Sequence, residues 1–288
     1  MTNSTSGRAS RPVKMPDPLP IPVVDNHCHL DMAREGQSPR AVEEILAEAA
    51  RFGVDRVVHV GCSLADSQVA VQLAQEHPAL VAAVALHPNK APILAQAGTL
   101  ETSLEQIEQL ARHQRVRAVG ETGLDYFRTG PEGIQAQHRS FREHIAIAKR
   151  VGKPMQIHDR DAHEDVLRVL AQEGAPDVTV FHCFSGDVQM ARECVARGYY
   201  LSFAGTITFK NAHELRQALA VVPLEQILVE TDAPYLTPTP NRGATNAPSL
   251  MPFTVRTIAE VLRVSTAEVC EVTAANAERL YGPWEEVA

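Results

Sequence analysis

The chain reads as an α/β protein, a closed TIM (β/α)8 barrel with a metal site at the C-terminal ends of its strands, and three observations carry that reading. Eight short apolar runs rich in β-branched residues recur at about 22–28, 54–60, 80–85, 116–121, 154–158, 178–182, 199–203 and 227–232. Such runs suit parallel strands buried on both faces. Segments with helical apolar spacing separate them, so each run belongs to a βα unit, and eight such units close a barrel. Finally, residues of metal-binding type fall at the ends of these runs: Asp25-Asn26-His27-Cys28-His29, Gly120-Glu121, Ile157-His158, Phe181-His182 and Glu230-Thr231-Asp232. Strand ends are where barrels of this kind carry their chemistry.

Taken in order, the first run holds His27 and His29 at i and i+2, which project from one face of a strand while Cys28 points away. Ser38-Pro39 offers an N-cap and an N1 proline for a helix over Ala41–Arg51, and Gly53 follows its end. The second and third runs precede helices over Leu64–Glu76 and Leu100–Arg112. The fourth ends at Glu121 and precedes a helix over Gln135–Arg150, stopped at Gly152. Helices over Ala162–Glu173, Val188–Arg197 (with Gly198 after it) and Ala212–Ala220 follow the next three runs. After the eighth, Pro234 to Pro252 is too long and proline-rich for a turn and reads as a loop over the barrel mouth. Helices near Pro252–Leu262 and Thr266–Tyr281 close the chain.

With 288 residues and 44% hydrophobic content, one barrel of ~250 residues uses nearly the whole chain. We expect a single domain over 21–288 behind a disordered tail over 1–20. That tail has Ser, Pro, Arg8, Arg11 and Lys14 but no apolar core, which excludes a secretory signal peptide. No segment is suited to span a membrane, and nothing calls for an obligate protein partner. Five scattered cysteines without a C-x-x-C pair argue against a disulfide framework and a cysteine-rich zinc module, and fit a reducing, cytoplasmic setting. A net charge of −8 means that an anionic substrate must be met by bound cations and local Arg or Lys groups. A lone histidine in an apolar run is more often a core residue than a ligand. Several imidazoles and acids gathered at one mouth without a cation would be costly, so the set reads as a metallohydrolase site.

The motifs DNHCHLD (25–31), ALHP (85–88), GETGLDY (120–126), the Gln137 to Phe141 spacing, IHDRDA (157–162), HCFSG (182–186), GTITFKNA (205–212) and ETDAPYL (230–236) resemble the TatD family of metal-dependent deoxyribonucleases. The resemblance runs over essentially the whole chain beyond residue 20. It implies an amidohydrolase-superfamily barrel that hydrolyses phosphodiester bonds, commonly as a 3′-to-5′ exonuclease on single-stranded DNA and sometimes RNA. It implies two divalent ions, Mg²⁺ foremost and Mn²⁺ or Zn²⁺ also compatible. His27 and His29 would hold one with Asp232, His158 and His182 the second, with Glu121 bridging. The expected mechanism is two-metal hydrolysis in which Asp232 also receives the attacking water's proton.

Substrate grip is expected from His87, Arg128, Arg160, Lys210, Asn211 and Arg242, all near strand ends, because guanidinium groups bind phosphate bidentately. Arg160 lies between Asp159 and Asp161 and is equally suited to brace those acids. Asp125 is expected to orient a ligand from behind, and Tyr126, Phe127 and Phe184 are candidates to stack on bases or to pack. Family members often carry a basic and an acidic residue in the late loop where this chain has Ala244 and Ala247. It also has Asn26 where Ser or Thr is common, and His144 where Gln is common. Two rival classes remain: a barrel hydrolase acting on an amide, ester, lactone or deaminable base, and a non-catalytic nucleic-acid-binding relic.

Overall fold

Parallel strands need cover on both faces, and this chain supplies an inner and an outer layer for the same sheet. In the computed structural model, residues 13–34 and 36–284 are described. Among them lie eight strands: β1 Val23–Cys28, β2 Val54–Gly61, β3 Leu80–Val84, β4 Val116–Asp125, β5 Met155–Arg160, β6 Thr179–Phe181, β7 Tyr200–Phe203 and β8 Ile227–Val229. They form one sheet in sequence order, and each consecutive pair is parallel. The seam between β8 and β1 is closed just beyond β8. There Asp232 N–H donates to the His27 carbonyl (2.9 Å) and His29 N–H to the Ala233 carbonyl (2.8 Å). The buried Asp25 carboxylate reinforces the seam by accepting the backbone N–H and the hydroxyl of Thr231.

The outer layer comprises α1 Val42–Arg51, α2 Leu64–Glu76, α3 Ala91–Gln96, α4 Leu100–Ala111, α5 Pro131–Val151, α6 His163–Glu173, α7 Val188–Ala196, α8 His213–Leu219, α9 Met251–Leu262 and α10 Thr266–Tyr281. Together with the alternating strands they make a (β/α)8 TIM barrel. The larger apolar core lies between the sheet and these helices, with Phe141, Leu100, Ile107, Ile145 and Val255 among its members. The inner core is the opposite set of strand residues: Val24, Val58, Val60, Val81, Ala83, Ala118, Val180 and Leu228. It is completed by Ala277, Leu280, Tyr281 and Trp284 from the last helix and the segment after it, which plug the barrel end away from the strand C-termini. No helix among the described residues is long and apolar enough to cross a membrane.

Several local expectations need correction. Ser38-Pro39 does not start α1, which begins at Val42 with no side-chain cap. Both residues stay in the connection and line a cavity of about 440 Å³ with Asn246 and Pro248. The helix after β4 starts a turn early because Pro131 takes its first turn, where a missing N–H costs nothing. The short α3 carries too few turns for a periodic pattern. The packed chain also begins before residue 21. Leu19 is buried and bonded to the Phe52 carbonyl, Lys14 exchanges two hydrogen bonds with Asn241, and Arg256 donates to the carbonyls of Asp17 and Pro18. Residues 1–12 of the expected tail lie outside the described residues. The proline-rich stretch after β8 is tied down by Asn246, whose amide donates to the carbonyls of Thr231 and Tyr235.

His144 occupies a buried position on α5, accepting the Leu86 N–H at Nε2 (3.1 Å) and facing the Ser140 carbonyl with Nδ1 (2.7 Å). Burial pushes its pKa down to about 4. The unfolded chain takes up this proton below about pH 6.5 and the native chain does not until about 4, so stability present at neutral pH is lost across that window. Between pH 7 and 4.5 the loss from this one group is about 2 kcal/mol. In His144→Gln, whose amide oxygen is able to accept the same N–H, denaturant unfolding should show that much less acid destabilisation. An equal loss in both proteins would contradict it.

Candidate metal centre

Two strands are irregular where the candidate ligands sit. Between Asp25 and Cys28 on β1 the register advances three residues against two on β2, and between Val119 and Thr122 on β4 it advances three against two on β5. Bulges of this kind re-aim a side chain. They lie at His27 and at Glu121, so Glu121 is set by a bulge within β4 and not by the strand end expected for it. Gly123, two residues on, has φ +147°, and a Cβ there would lie 2.0 Å from the His158 carbonyl oxygen. Only glycine allows β4 and β5 to approach this closely beside the carboxylate.

Five imidazoles surround Glu121, four of them on candidate ligands and the fifth on His87. Its Oε1 lies 2.6 Å from His158 Nδ1 and 2.8 Å from His182 Nε2, and its Oε2 lies 3.6 Å from His27 Nε2 and 4.0 Å from His29 Nε2. Asp232 Oδ1 stands 3.6 Å from His29 Nε2 and 4.0 Å from His27 Nε2. Its φ of 52° is left-handed, a conformation Asp tolerates better than most residues. Five overlapping ligand-type groups lie among the described residues, each with its donor atoms mutually within 4.8 Å. Two of them, His27–His29–Asp232 and Glu121–His158–His182, are the sets expected from the sequence, and the others bring in Glu230, Cys62 and His87 with Asp125.

The far nitrogen of each of the four candidate-ligand imidazoles is held by an acceptor. His27 Nδ1 faces Gln156 Oε1 (3.0 Å), His29 Nδ1 the Val60 carbonyl (2.8 Å), His158 Nε2 Asp125 Oδ2 (3.2 Å) and His182 Nδ1 Glu230 Oε1 (3.2 Å). An acceptor at the far ring nitrogen holds a proton there, so a cation entering the cluster would displace a proton only from the near nitrogen and take its lone pair, the arrangement a metal-ligating histidine needs. His87 is set the other way. Its Nδ1 accepts the Asn89 N–H (3.1 Å), so the neutral ring carries its proton on Nε2, which points at Glu121 Oε1 from 3.5 Å. It is therefore a donor into the site.

The electrostatics match a cation site. Burial alone would raise the Glu121 pKa, but the His182 and His87 rings and the His158 contact outweigh it and hold the carboxyl well below the usual range. Burial would likewise lower His182 and His29. Glu121 and Glu230 raise His182 well above an ordinary imidazole instead, and Cys62 and Asp232 do so for His29. His27 is pushed down by burial and by His182. His27 Nε2 is fully buried without a hydrogen-bond partner, an orphaned lone pair that a bound cation satisfies. The mixed imidazole and carboxylate donors fit a divalent ion.

Of the expected substrate contacts, only His87 reaches this cluster. Arg128, Arg160, Lys210 and Arg242 are exposed around the rim. Sequence reasoning named Glu230 only within the metal-type segment before Asp232, without a role, and missed Gln156 and Cys62. Gln156 and Glu230 are buried polar residues in apolar strand-end contexts, a signal that was available. Cys62, just after β2, places Sγ 3.5 Å from Glu121 Oε2, and nothing in the sequence distinguished it. Cys28 is packed in the outer core, and the Cys183 N–H donates to Glu230 Oε1 (2.8 Å). Gln137 clamps Asp125, accepting its N–H (2.9 Å) and donating to its carbonyl (3.2 Å).

A TIM barrel with this His and carboxylate cluster at its mouth is a metal-dependent hydrolase of the amidohydrolase-type fold. The model of the family described as TatD related DNase matches residues 24–282, and the chain belongs to that family. It is 46% identical over 266 residues to the uncharacterized metal-dependent hydrolase TatD of Mycobacterium tuberculosis, covering 90% of this chain and 98% of that one. It is 38% identical to the uncharacterized metal-dependent hydrolase YabD of Bacillus subtilis, covering 89% and 98%. The crystal structure of YJJV, a TatD homolog from Escherichia coli K12, superposes with a TM-score of 0.80 at 30% identity, covering 90% of this chain and 97% of that one.

Metal should stabilise the protein by mass action. Chelator-stripped protein titrated with Mn²⁺ or Zn²⁺ should unfold at higher temperature, gaining about 2.7 kcal/mol once free metal reaches roughly a hundredfold over Kd. Glu121→Gln, which keeps the shape but removes the charge, should lose most of that gain. An undiminished metal-dependent shift in the variant would place the cations elsewhere.

Proposed function

We propose that this protein is a phosphodiesterase of the nuclease type, a 3′-to-5′ exodeoxyribonuclease acting on single-stranded DNA and able to accept RNA. It works in a reducing, cytoplasmic setting, in keeping with five free cysteines. The observation that carries the reading is the division of the Glu121 carboxylate, one oxygen toward His158 and His182 and the other toward His27 and His29. That division suits two divalent ions, Mg²⁺ foremost with Mn²⁺ or Zn²⁺ compatible: one held by His27, His29 and Asp232, the other by His158 and His182, with Glu121 between. When bound, such ions supply Lewis-acid stabilisation of a phosphoryl group under attack.

The chain's own groups do the rest. Asp232 is anchored through its N–H to the His27 carbonyl, and its carboxylate retains 15% exposure, so it can meet an attacking water and take its proton. The His87 Nε2–H is aimed into the cluster and can donate to a phosphoryl oxygen. Asp125 and Glu230 keep His158 and His182 in the required tautomers.

The test is digestion of end-labelled oligonucleotides by chelator-stripped protein reconstituted separately with Mg²⁺, Mn²⁺ and Zn²⁺. A ladder shortened from the 3′ end is expected. If no reconstituted form cleaves nucleic acid while one hydrolyses an amide, ester or lactone, the rival hydrolase class replaces this reading. Asp232→Asn should lower kcat by at least about a hundredfold with metal retained. Near-normal turnover in that variant would remove Asp232 from the proton transfer.

A further inference from the structure

Two guanidinium groups lie over aromatic rings at the rim. Arg160, the last residue of β5, has Cζ 3.9 Å from the ring centroid of Phe127, two residues beyond β4. Arg242, in the segment after β8, has Cζ 3.9 Å from the ring centroid of Phe209, in the segment after β7. Both arginines are exposed, and neither has an ion-pair or hydrogen-bond partner for its side chain among the described residues. The helical layer is mixed in this respect. There Arg112, Arg142, Arg150, Arg168 and Arg197 are each paired with a carboxylate. Arg51, Arg192 and Arg263 of the same layer have no such partner, so what sets Arg160 and Arg242 apart is the aromatic ring beneath each.

Stacking uses the face of a guanidinium and leaves its N–H edge free, so each pair presents a fixed fork suited to bidentate phosphate binding. Holding the side chain on a ring in advance also reduces the entropy lost on binding. The first pair spans the β4 and β5 ends and the second the β7 and β8 ends, three strand positions apart in a ring of eight, with His182 of the metal cluster between them. Two aromatic side chains are exposed at the same rim. Phe127 is 61% exposed, and Tyr235, its ring 6.4 Å from that of His29, is 46% exposed. Faces of this kind take unpaired bases, which a duplex keeps stacked internally.

We propose that Arg160 on Phe127 and Arg242 on Phe209 are two phosphate stations that hold backbone phosphates of a single-stranded nucleic acid on either side of the phosphate at the metal centre. The proposal rests on the phosphodiesterase reading above and adds a consequence to it. Turnover depends on chain length, because a small diester fills only the central position and a short oligonucleotide only one station.

The experiment compares wild type, Arg160→Gln, Arg242→Gln and the double variant. Hydrolysis of a thymidylate oligomer series is set against hydrolysis of bis(p-nitrophenyl) phosphate by the same preparations. Binding of a fluorescent hexathymidylate is followed as a function of salt in an Asp232→Asn background. Each single change should lower the oligomer-to-small-diester ratio of kcat/KM about tenfold and reduce the salt slope of log K by about 0.7, and the double change by about 1.4. Arg160→Lys keeps the charge but loses the stacked fork, so its salt slope should hold while the kcat/KM ratio falls. An unchanged slope and ratio in the double variant would overturn the stations. If wild type hydrolyses neither class of diester, the phosphodiesterase reading fails. The binding slope then still decides the stations, a reduced slope supporting them and an unchanged one overturning them.

Discussion

The mouth of this barrel is organised by the meeting of one buried carboxylate, Glu121, with the near ring nitrogens of four candidate-ligand imidazoles. That meeting depends on features well away from it. The β4 bulge turns Glu121 inward, and Gly123 lets β5 close up so that His158 Nδ1 comes within 2.6 Å. Gln156, which fixes His27, donates its amide to the Asn26 carbonyl and to the Tyr281 hydroxyl of the plug helix α10. The packing that fills the barrel floor therefore also sets the tautomer of a ligand at its mouth. Misplacing that floor by a fraction of an ångström would be felt at the cluster, because close-packed interiors transmit displacement.

Closure of the sheet is equally tied to the site. The hydrogen bonds that seal β1 to the segment after β8 come from Asp232 and His29, both candidate ligands, and from Asp25 two residues before His27. Burial pushes the Asp25 carboxyl up to about 7 despite three hydrogen bonds that favour its charged form, the mark of a carboxylate placed to hold backbone and not to face solvent. Barrel closure and assembly of the first ligand group are thus one structural event. The protein has little freedom to adjust one without the other.

Much of this was legible in the sequence, for physical reasons. Eight β-branched runs and the spacing between them require parallel βα units, and the two-residue period of a strand brings His27 and His29 together. What could not be read is what depends on contacts across the sheet. The run over 116–121 continues to Asp125 because β5 supplies partners beyond the bulge, and no local pattern announces that. Gln156 and Glu230 acquire their roles only once strands more than a hundred and about fifty residues from their partners are adjacent. Ser38-Pro39 has the chemistry of a helix start, but it lines the cavity beside His29 and the helix begins at Val42. The rim is the least legible region: Arg160 is flanked by two aspartates in sequence, yet it stacks on Phe127 from the neighbouring strand.

The ring-nitrogen partners separate His87 from the other four rings, because its Nδ1 accepts a backbone N–H while the far nitrogen of each of theirs faces an acceptor. Anomalous diffraction from crystals soaked in Mn²⁺ reads the positions of bound ions directly. Two peaks are expected, one among His27, His29 and Asp232 and one between His158 and His182, both against Glu121, with His87 ligating neither. A single peak, or an ion coordinated by His87 Nε2, would contradict that assignment.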